Sequence, residues 1–144
     1  MEHVGPTYEQ IRLVKREWSF LKNIRAQIIG DVFFGKLLFD YPQTRKSLDR
    51  ILSDGLTDDP NEGLKNLLGG IISKLDRPDE LAAHLQRLAS ALKTNGFNKV
   101  IFRRFAESLI WTLKKAFGYE WPLESELAWM ACISAIEFGI FDLQ

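Results

Sequence analysis

Between Tyr8 and Tyr41 the chain has no proline, and Ile11, Val14, Trp18 and Leu21 recur at intervals of three or four. That spacing makes one stripe on a 3.6-residue helix. A second set, Ile24, Ile28, Val32, Phe33, Leu37 and Leu38, keeps the period but changes face near Asn23. It predicts a second helix after a tight corner, stopping at Tyr41-Pro42 because proline drives its predecessor out of the helical region. Pro42 to Leu48 reads as a short helical turn and Ser53 to Pro60 as a loop, with Asp58 as the N-cap of the next helix. Leu64, Leu67, Leu68, Ile71, Ile72 and Leu75 form the strongest amphipathic run, and Gly69-Gly70 inside it point to a close helix crossing. Asp76 to Glu80 restarts a helix whose stripe is Leu81, Leu85, Leu88 and Leu92, ended by Asn95-Gly96. A further helix spans about Asn98 to Phe117 with Phe102, Phe105, Leu109 and Leu113 on one side, and stops at Gly118.

Trp121-Pro122 opens the last helix, which is apolar nearly all round. One face carries Leu127, Met130, Ala131, Ser134 and Phe138, the other Trp129, Ile133, Ile136 and Ile140. Such a helix has to be covered on two sides. If the first face meets the core, then Trp129, Ile133, Ile136, Ile140 and Trp111 of the preceding helix meet a partner. A symmetric dimer through the last two helices is the expectation. The alternative is that the early helices cover that face. No segment alternates like a strand, so the class is all-α, with six to eight helices in one domain over residues 1–144.

Composition narrows the function. Nineteen basic and nineteen acidic residues cancel, which leaves no long-range positive field to gather nucleic acid or an anionic membrane. The single cysteine, Cys132, excludes an internal disulfide and a cysteine-based zinc site. No apolar run is long enough to span a bilayer and no signal peptide is recognisable, so the expected setting is cytoplasmic. The acids at 58–59 and 76–80 sit at helix starts, where capping and the dipole explain them. Lys114-Lys115 and Arg103-Arg104 fall on a helix's polar face. Neither a phosphate loop nor a nucleophilic triad can be assembled, so catalysis is not expected.

The order of helices and their punctuation resembles the globin family from about Tyr8 to Phe138. The resemblance rests on Ile11 to Trp18, Gly30 to Phe34, Leu37 to Leu48, Thr94-Asn-Gly-Phe97, Phe105 to Gly118, Trp121-Pro122 and Ala128-Trp129. It is similar to single-domain globins of the neuroglobin and flavohaemoglobin type, which implies a globin-like fold around a haem pocket. The resemblance places the iron-binding proximal position, four residues before the glycine of the following turn, at Leu92. It places the distal position at Pro60 and the porphyrin-wedging phenylalanine at Leu48. Leucine has no lone pair for iron, and proline offers neither a side-chain donor nor an N–H. The stretch between Leu48 and Pro60 is also shorter than in most globins.

Only His3 and His84 exist as histidines. His84, eight residues before Leu92, is rotated by about 80° and displaced by about 12 Å along a helix, which suits a surface or capping role. Cys132 reads as a small packed hydrophobe. The resemblance therefore implies a haem-free globin with no cofactor, acting as a sensory, scaffold or partner-binding domain, as haem-less relatives of this fold do. Its vestigial pocket, lined by Phe34, Leu48, Leu64, Leu88, Leu92 and Phe97, is either filled by those side chains or open to a fatty-acid-like ligand. The alternative is a haem protein with a non-standard iron ligand that binds or senses oxygen or nitric oxide.

Overall fold

The computed structural model describes residues 5–21, 23–24, 26–44, 46, 59–94 and 96–142. Among the described residues six long α-helices follow one another: α1 (Tyr8–Leu21), α2 (Ala26–Asp40), α3 (Pro60–Ile72), α4 (Pro78–Thr94), α5 (Lys99–Phe117) and α6 (Leu123–Glu137). A 3₁₀ turn at Pro42–Thr44 follows α2, and a π-helical turn at Phe138–Asp142 extends α6. No strand occurs among the described residues.

Local chemistry sets the boundaries. Thr7 and Gln10 exchange side-chain hydrogen bonds with each other's backbone N–H, at 2.9 and 3.1 Å, a capping box that opens α1. At α3 the cap is Asp59, whose carboxylate accepts from the Asn61 N–H at 3.0 Å. This corrects the expectation of Asp58, which lies outside the described residues. Pro60 holds the first helical position, so the residue directly before it is forced extended and becomes the cap. Asn98 caps α5 through the Ile101 N–H. Gly96 (φ 80°) and Gly118 (φ 76°) adopt the left-handed backbone that ends α4 and α5.

In the packing, α1 lies on α6 and touches α3, while α2 is held between α3 and α5. The π-turn folds against α4, and α5 pairs with α6. At the centre are Val14, Phe33, Leu37, Leu64, Leu113 and Ile140, each essentially excluded from solvent. The Gly69-Gly70 pair does not mark the close crossing expected of it: Trp18 of α1 lies over Gly69 and His84 of α4 beside Gly70, each leaving room for a Cβ, and the close approach is instead at Gly30 against Asn61.

The last helix corrects the sequence reading. Trp129 is 2% exposed and Ile140 1%, whereas Leu127 and Met130 are 50% and 49% exposed. The face expected to meet a partner is the core face, and the face expected to be core looks outward. Periodicity gives α6 two apolar faces, and contact with α1 decides between them. Glu17 of α1 accepts from the indole N–H groups of Trp129 (2.8 Å) and Trp121 (3.1 Å) and from the Ser125 hydroxyl (2.9 Å). The buried positions of α6, Ser125, Ala128, Trp129 and Cys132, follow that clasp at helical spacing.

Candidate functional site

The α3, α4, α5 and α6 helices enclose a central cavity of about 60 Å³. Leu67, Leu68 and Ile71 come from α3, and Leu88 and Leu92 from α4. Phe97 and Phe102 close one side, Phe105 and Leu109 another, and Ile133, Ile136 and Ile140 the floor. Among the described residues every lining side chain is a hydrocarbon, and none of them can donate a lone pair or a proton. Pockets that bury a cofactor-sized molecule run to about 300–1,000 Å³. The space left between these described side chains is well below that range.

Three of the expected lining residues, Leu88, Leu92 and Phe97, are brought together here. Their arrangement stems from how α4 ends. The Phe97 N–H donates to the Leu92 carbonyl at 2.9 Å and the Gly96 N–H to that of Lys93 at 3.1 Å, the paired bonds of a Schellman motif. Such an end brings the side chains of Leu92 and Phe97 into one apolar contact. Leu92 is therefore the hydrophobic anchor of the helix stop as well as the wall of the cavity.

The other expected lining residues lie elsewhere. Leu64 is buried but does not border the cavity, because it lies three residues before Leu67 and on the neighbouring part of the α3 face. Phe34 is one ring removed. It packs edge-on to Phe33 at 5.1 Å, and Phe33 in turn meets Phe105 of the cavity wall at 4.8 Å. Leu48 lies outside the described residues. Pro60, the distal position of the resemblance, is the first residue of α3, about 10 Å along the axis from Leu67, and does not border the cavity. The wall residues of α3 and α5 are legible in the sequence only as core stripes. Ile136 and Ile140, which the sequence pattern assigns to an interface, border the cavity instead, and Ile133 borders both the cavity and the outer groove between α5 and α6.

Neither heteroatom candidate faces the cavity. His84 is half-buried beside Gly70, and burial together with Lys74 and Arg87 holds its imidazole below the usual pKa. Cys132 is buried on α6, and burial pushes its thiol up to about 12, leaving it protonated as a small packed side chain. His3 lies outside the described residues. Among the described residues no group of His, Cys, Asp or Glu could hold a metal ion, and no helix is long and apolar enough to cross a membrane.

The charged positions act as surface groups. Arg103 pairs with Glu137 at 3.0 Å and Lys114 with Glu126 at 3.1 Å, both bridging α5 to α6. Arg104 lies over the Tyr41 ring, while Lys36 and Lys115 both approach the ring of Trp111. Between the two ion pairs runs an open groove of about 510 Å³, with Trp111, Ile110 and Met130 in its walls. Of the expected interface residues, Trp111 and Ile133, both half-buried, border this groove.

No curated protein matches the chain. The globin family model matches residues 32–140, from the middle of α2 to the π-turn and over more than half of the chain, so this protein belongs to the globin family.

Proposed function

We propose that this chain is a haem-free globin that acts as a non-catalytic sensory, scaffold or partner-binding domain. The observation that carries the reading is the hydrocarbon lining of the central cavity, with Leu92 in its wall. Haem iron needs an axial donor such as imidazole, thiolate or thioether. Support for this reading is that among the described residues no such group borders the cavity, and that its volume of about 60 Å³ is far below what a porphyrin would fill.

Titration of the purified protein with haemin tests this. The expected result is no sharp Soret band and no haemin-dependent rise in melting temperature, since a ligand that binds only the native state raises it. A sharp band saturating at one equivalent overturns the reading, and substitution of His84 and Cys132 then identifies the ligand.

The partner in this reading is a second copy of the chain, through the outward surface of α5 and α6 rather than the buried Trp129 face. Support comes from the exposed stripe Leu123, Leu127 and Met130, which recurs at helical spacing on α6. Beside it, Lys36, Arg103 and Lys114 balance Glu107, Glu126 and Glu137 around the groove. A surface carrying both signs equally can meet its own copy across a two-fold axis without net repulsion.

A further inference from the structure

Room for a ligand exists in this globin, but away from the central cavity. At the corner where α1 passes into α2 there is a second cavity of about 170 Å³, nearly three times as large. Trp18 and Leu21 of α1, Ile29 and Val32 of α2, Leu113 of α5 and Trp129 of α6 form its walls. Two of the polar groups at its edge are already engaged in hydrogen bonds. Thr112 donates its hydroxyl to the Ser108 carbonyl at 2.8 Å, and the Trp129 indole N–H is held by Glu17 at 2.8 Å. The Trp18 indole nitrogen lies against Gly69. A water inside needs two to four polar partners, whereas an apolar cavity of about 150 Å³ stays dry and takes up benzene or xenon.

The corner also has a way in. Ile28, exposed for a core-type residue, stands at the edge with Lys115 and the exposed Ala116. The Lys115 ammonium is drawn aside, 5.1 Å from the Trp111 ring centre, so an apolar solute entering there need not displace a hydrated charge.

We propose that this corner cavity is a binding site for a compact uncharged apolar molecule of the size of benzene or a short branched hydrocarbon. The site stands whether or not the chain takes haem, because it shares only Leu68 and Leu109 with the central cavity. Trp129 contributes its ring to the cavity and its N–H to the Glu17 clasp, so an occupant touches the side chain that fixes α6 on α1.

The test uses the full chain with benzene and, separately, xenon as probes. Nuclear magnetic resonance reads the indole N–H signals of Trp18 and Trp129 and the methyl signals of Ile29, Val32 and Leu113. The expected result is saturable shifts at these groups while the methyls of Leu88, Leu92 and Ile136 stay in place. Filling the space with Val32→Phe or Ile29→Phe should weaken binding at least ten-fold in whichever variant keeps the native spectrum. Non-saturable shifts, or shifts centred on Leu88, Leu92 and Ile136, overturn the site without reference to any variant. Undiminished binding in a folded Phe variant overturns it too.

Discussion

Two glycines in helix interiors answer opposite questions. A Cβ placed on Gly30 of α2 would stand 2.7 Å from the Cβ of Asn61 on α3, too close for either helix to keep its place. A Cβ on Gly69 would meet the Trp18 ring at 3.6 Å, an ordinary contact. Alanine in a helix is favoured over glycine by up to about 1 kcal/mol, so the neighbour decides the sign. Gly69→Ala should stabilise the protein by about 0.5–1 kcal/mol. Gly30→Ala should destabilise it by about 1–2 kcal/mol, overpacking of about 1–3 kcal/mol being only partly offset by propensity. Urea unfolding checks both, the midpoint moving up for Gly69→Ala and down for Gly30→Ala with an unchanged slope. A stabilised Gly30→Ala variant would mean that α2 and α3 do not cross at Asn61.

Between elements, the Glu17 clasp carries the most weight for its size, because one carboxylate binds three donors from α6 and the turn before it. Its loss leaves the N–H of the buried Trp129 without an acceptor, and an unmet buried donor costs about 1–3 kcal/mol. Glu17→Ala should therefore cost about 3 kcal/mol once the Trp121 and Ser125 bonds are included. Glu17→Gln, which keeps one acceptor oxygen, should cost less than half of that, and equal losses in thermal unfolding would refute the hydrogen-bond account. The α3–α4 contact has its own signature. The His84 imidazole is held below its usual pKa by burial, Lys74 and Arg87, so the unfolded chain takes up a proton that the native state resists. The resulting contribution is whole above pH ~6.5 and is lost as pH falls from there toward the depressed native pKa. His84→Gln should flatten the fall in melting temperature between pH 7.5 and 5, and an unchanged fall would assign it to other groups.

For the whole molecule, the sequence carries the helices more faithfully than their mutual orientation. Caps, prolines and glycines act within a few residues, so α1 to α6 begin and end close to where the pattern places them. Leu92 and Phe97 are legible as pocket residues for the same reason, since the helix stop that joins them is local. The burial of Trp129 is not, because its acceptor, Glu17, lies 112 positions away and an apolar period cannot tell which of two faces finds a partner. The same fact leaves the opposite side of α6 facing outward, and it is there that we propose two copies associate. Leu123, 69% exposed, together with Leu127 and Met130 lines up a turn apart, beside a groove rimmed by the Arg103–Glu137 and Lys114–Glu126 pairs. An apolar stripe with a balanced charged rim matches the usual anatomy of an interface, and a two-fold axis through it builds a four-helix contact from two copies of α5 and α6. Light scattering at micromolar concentration should give twice the monomer mass. Met130→Glu places a carboxylate at the centre of the stripe, where in the isolated chain it faces water. It should therefore yield a monomer while shifting unfolding stability by no more than about 0.5 kcal/mol. A monomeric wild-type protein, or a dimer that survives Met130→Glu, removes this face as the self-association surface.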